Sequence, residues 1–265
     1  MAASGAHSAV GAPAVAGATR GRGGVPMPLV AALGAALVLA LAGLGWMAAR
    51  PRGAATTPSL RFRVEPPPGT AEAFWPRISP DGRFLLIQSA DSLGTVRAWV
   101  RPLDQVEAVP IAGSEGLQRA YWSPDSKEVV FMDGDELKRV PIAGGTPVVL
   151  QSVPNGADLS WGARGMILID GRANDSLRVV AAGGGDIKPA TRIDRAGGEV
   201  GGAWPTFLPD GKHFLFIGSR SDMVSGGNIR LGRLGSLESK LLGRSDGRVE
   251  YAPGDWILFL RGSTL

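Results

Sequence analysis

One phrase is written twice in this chain at well-separated places. Trp75-Pro76-Arg77-Ile78-Ser79-Pro80-Asp81-Gly82-Arg83 returns as Trp204-Pro205-Thr206-Phe207-Leu208-Pro209-Asp210-Gly211-Lys212, and each copy runs into a short apolar stretch. A weaker copy stands at Tyr121-Trp122-Ser123-Pro124-Asp125-Ser126-Lys127, and degenerate ones begin at Ser160 and Glu250. Measured between Pro80, Pro124, Ala163, Pro209 and Pro253, the steps are 44, 39, 46 and 44 residues. A period of about 40 to 45 residues is that of a four-stranded propeller blade. The fold class read from the repeat is therefore all-β, a β-propeller of four-stranded blades.

Within each unit an aromatic residue is followed by a Pro-Asp-Gly type turn, an apolar run and a second turn. The runs are Phe84 to Ile87, Val129 to Met132, Met166 to Ile169, Phe214 to Ile217 and Trp256 to Leu260. Unbroken apolar strands are expected to be buried on both faces, as they are when each blade is sandwiched between two others. In Ser79-Pro80-Asp81-Gly82 the proline presets φ, the aspartate bonds nearby amides and the glycine takes the positive φ that closes the hairpin. Ser79, Pro80, Asp81, Gly82, Ser123, Pro124, Asp125, Pro209, Asp210 and Gly211 are accordingly assigned as a structural turn motif. Third strands are expected at Leu137 to Pro141 and Leu177 to Val180.

Ahead of the repeats, Met27 to Ala49 carries no charge over 23 residues. As a helix it would be about 35 Å long, enough to cross a hydrocarbon core of about 30 Å. A secretory signal has a shorter apolar core of about 7 to 15 residues, so an uncleaved anchor is expected. The domain reading is a disordered segment over 1–26, a transmembrane helix over 27–49, a linker over 50–59 and a propeller over 60–265. Leu60 to Val64 alternates with charges and reads as one half-buried strand. Arg20 and Arg22 precede the helix and Arg50, Arg52, Arg61 and Arg63 follow it, which by positive charge alone puts the N-terminus outside. Ala32, Ala36 and Ala40 form a small-residue stripe through which two helices could pack.

The sequence pI is near 9.8, yet the charge is unevenly placed. Of 28 basic residues, Arg20, Arg22 and Arg50 lie before position 51, where no acid occurs, leaving 25 basic against 24 acidic residues beyond it. No basic run interleaved with aromatics exists, and nucleic acid is not an expected partner.

With the repeat in place, Ile78 to Leu86 and Phe207 to Phe216 resemble the WD40-like repeat of TolB-type β-propellers, over roughly 60–265. An apolar helix, an Arg-Phe-Arg-Val-Glu-Pro strand and then these repeats resemble the rear half of bacterial transmembrane serine/threonine kinases with extracytoplasmic propellers. No Gly-rich phosphate loop, His-Arg-Asp or Asp-Phe-Gly occurs in the chain, so kinase activity does not carry over. The resemblance implies a propeller on the periplasmic side of a bacterial inner membrane, against the arginine count, and this layout is preferred. It also implies six blades, whereas about four and a half are written here. The expectation is a fragment of a longer protein, or a ring whose open blade edges invite self-association.

Candidates for chemistry are few. The chain has no cysteine, and its two histidines are His7 and His213. His213 reads as a turn residue rather than a triad member, and the recurring Asp81, Asp125 and Asp210 read as turn residues rather than a metal or acid/base set. Asp133-Gly134-Asp135-Glu136 reads as a hairpin because the closing carboxylate of a calcium loop is missing. Gly183-Gly184-Gly185 and Gly197-Gly198 lack the strand-to-helix context of a phosphate site. No catalytic, cofactor or metal residue is assigned. The aromatics Trp75, Trp122, Trp161, Trp204, Phe207 and Tyr251 are assigned to packing between blades, in preference to a binding platform; the sequence does not identify which loops meet a ligand, and Ser219 to Gly227, polar and longer than its equivalents, is named only as a candidate.

The function expected is a non-enzymatic, membrane-anchored propeller that binds a protein or peptide, or scaffolds, at the bacterial cell envelope. Two alternatives are the sensor portion of a transmembrane kinase and the propeller of a prolyl-oligopeptidase-type hydrolase, each with its catalytic domain elsewhere.

Overall fold

A computed structural model describes residues 63–171, 175–220 and 226–265, together with six isolated positions between 28 and 41. Residues 1–26, most of 27–49 and all of 50–59 lie outside the described residues, so the expected disordered segment, anchor helix and linker do too. Among the described residues no helix is long and apolar enough to cross a membrane. The chain divides into two compact units, 1–61 and 62–265, and among the described residues every strand belongs to the second.

That unit is built from antiparallel sheets laid down one after another. β1 (Phe74–Ile78), β2 (Phe84–Ala90), β3 (Val96–Pro102) and β4 (Val109–Pro110) pair in sequence order, as do β5 (Ala120–Trp122), β6 (Glu128–Asp133), β7 (Glu136–Pro141) and β8 (Val148–Ser152). A third sheet holds β9 (Leu159–Trp161), β10 (Met166–Ile169), β11 (Arg178–Ala181) and β12 (Lys188–Pro189). The fourth holds β13 (Gly201–Phe207), β14 (His213–Ser219), β15 (Gly227–Arg233) and β16 (Ser236–Ser245), and β17 (Glu250–Ala252) pairs with β18 (Trp256–Leu258). The first strands β5, β9, β13 and β17 adjoin one another in turn. This is the arrangement of propeller blades, innermost strands toward a common axis. Pro110 and Pro189 sit in outermost strands, where a residue with no N–H interrupts no further pairing.

The apolar runs divide their side chains between two neighbours. Val129 and Phe131 of β6 pack back against Leu86 and Ala98 of the first sheet, while Val130 and Met132 pack forward against Leu159, Ile167 and Ile169 of the third. β14 repeats this, with Phe214 and Phe216 against Leu168 and Val179, and Leu215 and Ile217 against Val249 and Phe259. Burial of one such side chain is worth about 1.5–3 kcal/mol. The alternation explains why these strands have no polar face.

The expected run Trp256 to Leu260 departs from this. Trp256 is 68% exposed, and Ile257, Leu258 and Leu260 are exposed as well. Val249 and Phe259 pack onto the fourth sheet, but the described residues place no sheet against the other side of β18. Arg63 and Val64, the described end of the expected early strand, are not in a strand.

Candidate functional site: an axial layer read from one register position

The turn residues lie at the tips between first and second strands, each in its own hairpin. Ser79 Oγ donates to Asp81 Oδ1 at 2.5 Å and accepts the amides of Arg83 and Phe84, while Gly82, at φ 71°, returns its N–H to the Ser79 carbonyl. Ser123 and Asp125 repeat the pattern on either side of Pro124, with Ser126 at φ 62° where the first unit has glycine. These hydroxyl bonds hold both carboxyls below the usual carboxylate range, Ser79 chiefly for Asp81 and Ser123 chiefly for Asp125.

In the fourth unit Leu208 takes the place of serine and His213 supplies the missing donor. Asp210 accepts the amides of Lys212 and His213, both at 2.9 Å, and His213 Nδ1 lies 2.5 Å from its other oxygen. The His213 amide and ring, with the Lys212 amide, hold Asp210 far below its ordinary value. His213 is thus engaged with its own turn. Asp133 and Glu136 face each other across a tight hairpin, and both carboxylates hold Lys138, at 2.7 and 2.8 Å.

The aromatic residues assigned to packing fall into two classes once their register is counted from the turn. Two residues before Pro124, Ala163 and Pro209 stand Trp122, Trp161 and Phe207, and all three pack into the clusters between sheets. Trp122 also donates its indole N–H to the Arg77 carbonyl of the preceding unit at 3.0 Å. Tyr251 holds the same register, half-buried, with its hydroxyl on Asp255 at 3.1 Å.

Five residues before each marker the chain places Trp75, Arg119, Asp158, Trp204 and Arg248, and here the packing assignment is corrected for Trp75. Trp75 is 43% exposed. Trp75 and Trp204 occupy the left-handed region, φ 47° and 53°, each at a register shift of its innermost strand and each before a proline. A bulky residue in that conformation costs about 1–3 kcal/mol and persists only where its surroundings impose it. The one-residue bulge bends the strand and re-aims the indole.

These five positions come together although up to 173 residues separate them in sequence, from Trp75 to Arg248. The Arg119 guanidinium lies 4.8 Å from the Trp75 ring centre, and that of Arg248 lies 5.8 Å from Trp204. Asp158, its side chain only 4% exposed, accepts from Arg119 on one oxygen and from the Tyr121 hydroxyl on the other. Arg248 approaches the same carboxylate to 3.6 Å. An aspartate of the third unit therefore gathers arginines of the second and the fifth.

The next inward position, three before the marker, adds Arg77 over the Tyr121 ring at 4.2 Å and Thr206 bonded to Glu250 at 3.2 Å. Asp170, also buried, accepts the amides of Asp158 and Trp204. Burial, and secondarily the Asp158 charge, push the Tyr121 phenol up to about 12. It stays a neutral donor to Asp158 at any physiological pH.

The layer joins aromatic faces, guanidinium groups and buried carboxylates on rigid strands. That is the chemistry of polar and aromatic recognition. No metal-ligating cluster of three or more His, Asp or Glu occurs among the described residues. Loop 219–227 lies largely outside the described residues. The axial layer has a signal in the sequence: counting five residues back from each turn marker gives all five members.

No protein-family model matches the sequence, and no curated protein matches it. Solved structures do. TolB from Acinetobacter baumannii superposes with a TM-score of 0.58 at 16% identity, over 72% of this chain and 49% of that one. Putative TolB from Agrobacterium tumefaciens gives 0.55 at 16% identity, over 68% and 69%. A structure from a study of two prolyl endopeptidases gives 0.50 at 13% identity, over 69% and 31%. The chain spans about half the length of the Acinetobacter TolB chain that it matches. At these identities the likeness concerns the fold, and residues 63–265 have the fold of TolB-like β-propellers.

Proposed function

We propose that the chain is a non-enzymatic binding module that takes a protein or peptide segment at the axial layer, and that residues 27–49 anchor it in a bacterial envelope membrane with the propeller on the periplasmic side. The observation that carries this reading is the convergence of Trp75, Arg119, Asp158, Trp204 and Arg248 on one layer, with two tryptophans held in strained backbone. Strain of this kind is retained where a side chain must be aimed. Support for anchoring comes from the 23-residue uncharged segment, and support for a protein ligand from the likeness of the fold to TolB.

A displayed library of random peptides selected on the full chain tests the reading. Peptides that enrich on the wild type and fail on the Trp75→Ala, Arg119→Ala double variant support it. Equal enrichment on both would move the binding site elsewhere, and no enrichment on either would remove the peptide-binding function. A second reading, the propeller of a prolyl-oligopeptidase-type hydrolase, draws on the likeness to the prolyl endopeptidase fold. Peptidase activity in the intact protein that carries this chain would favour it.

A further inference from the structure

The charged groups of the axial layer are Arg77, Arg119 and Arg248 with Asp158, Asp170 and Glu250, and they are unequally satisfied. Both Asp158 oxygens are occupied, by Arg119 and by the Tyr121 hydroxyl. Both Asp170 oxygens accept main-chain amides. Asp158 and Asp170 are turned into the protein, 3% and 2% exposed, whereas the Glu250 side chain is 42% exposed and lies against Arg248.

The arginines differ. Arg119 has a hydrogen-bonded carboxylate, whereas Arg248 stands 3.6 Å from Asp158, beyond hydrogen-bond range. Its Nε is 3.1 Å from Glu250 but buried without an aligned acceptor among the described residues. Arg77 lies over the Tyr121 ring, and its Nε is likewise buried without an acceptor among them. Two guanidinium groups, from the first and fifth units, thus lie close to the Tyr121 phenol, Arg248 bonding its hydroxyl as well, and among the described residues neither has a carboxylate hydrogen-bonded to its terminal nitrogens. The buried Nε atoms are out of a ligand's reach, so an acceptor would meet the terminal nitrogens, where a charge-assisted hydrogen bond is strongly favoured. The group matching the planar fork of arginine is a carboxylate, and Asp158 already fills that role for Arg119 in this layer.

Resting on the peptide-binding reading above, we infer that Arg77 and Arg248 form a carboxylate subsite beside Tyr121, with the exposed Trp75 indole as the wall for the group that bears the carboxylate. The carboxylate comes from a peptide C-terminus or from an acidic side chain. In either case it bonds the terminal guanidinium nitrogens, to which no acid of the layer is hydrogen-bonded.

The full chain labelled with ¹⁵N-arginine tests this with three probes: N-acetylalanine, its amide, and the α-amide of N-acetylglutamate. The expected result is a saturable shift of the Arg77 and Arg248 Nε–H signals with N-acetylalanine, about tenfold weaker for the uncharged amide. The glutamate derivative shows which source is taken, since binding as tight as the free acid indicates a side-chain carboxylate and weaker binding a C-terminus. Arg77→Gln and Arg248→Gln should each abolish the preference for acid over amide. Equal shifts with acid and amide, or none with any probe, would overturn the subsite without help from either variant. The peptide selection decides the wider reading independently, because peptides that bind with no preference for a carboxylate would leave that reading in place.

Discussion

Trp75 and Trp122 belong to neighbouring innermost strands and both precede a Pro-Asp turn, yet one is 43% exposed and the other 7%. Three register positions make the difference. At two residues before the turn marker a side chain enters the space between sheets, where Trp122 meets Val129 and Phe131. At five residues before it, the bulge and the left-handed backbone turn the indole of Trp75 toward the Arg119 guanidinium. A repeat fixes the backbone path of each unit, and register within the strand then decides whether an aromatic builds the core or faces a partner.

The largest effect should come from the packing position. Trp122→Ala removes a buried indole and its bond to the Arg77 carbonyl, and is expected to cost about 4 kcal/mol by denaturant melting. Next, Asp158→Asn leaves Arg119 without its carboxylate in a largely buried setting, with an expected loss of about 3 kcal/mol. A loss below about 1 kcal/mol would mean that the layer is solvated rather than built around Asp158.

Asp210→Ala removes a turn acceptor at the surface tip of the fourth unit, at about 1 kcal/mol near neutral pH. Because the folded carboxyl is held below its unfolded value, its contribution is full above the ordinary carboxylate range and fades as pH falls. The difference between wild type and variant should therefore shrink only as pH falls below the ordinary carboxylate range. A constant difference would show that the carboxylate charge is not what the turn uses.

The smallest change in stability belongs to Trp75→Ala, below about 1 kcal/mol, because its exposed ring gives up mainly the stacking on Arg119. Peptide binding should be lost all the same. Trp75→Ala and Trp122→Ala with equal stability loss would erase the distinction between the two positions.

The blades are legible in the sequence because their signals are local. Pro80-Asp81-Gly82 sets a turn from within four residues, and the run Phe214 to Ile217 declares a strand buried on both faces without reference to its neighbours. The axial layer is harder to read, for two physical reasons. Residues before proline ordinarily avoid helical φ and ψ, so nothing marks Trp75 and Trp204 as left-handed. Side chains as unlike as Trp75, Arg119 and Asp158 share no composition, and only the register that brings them together reveals a site. The exposure of Trp256 has no signal of its own, because a run of apolar residues does not say which of its two neighbours is present.

A double-mutant cycle between Asp158 and Arg248 tests the central claim most directly, since these residues are 90 positions apart and meet only if units three and five share an axis. Asp158→Asn and Arg248→Gln, alone and combined, should show a coupling of at least about 0.5 kcal/mol in unfolding free energy. Additivity within about 0.3 kcal/mol would contradict the convergence of the five register positions on one layer.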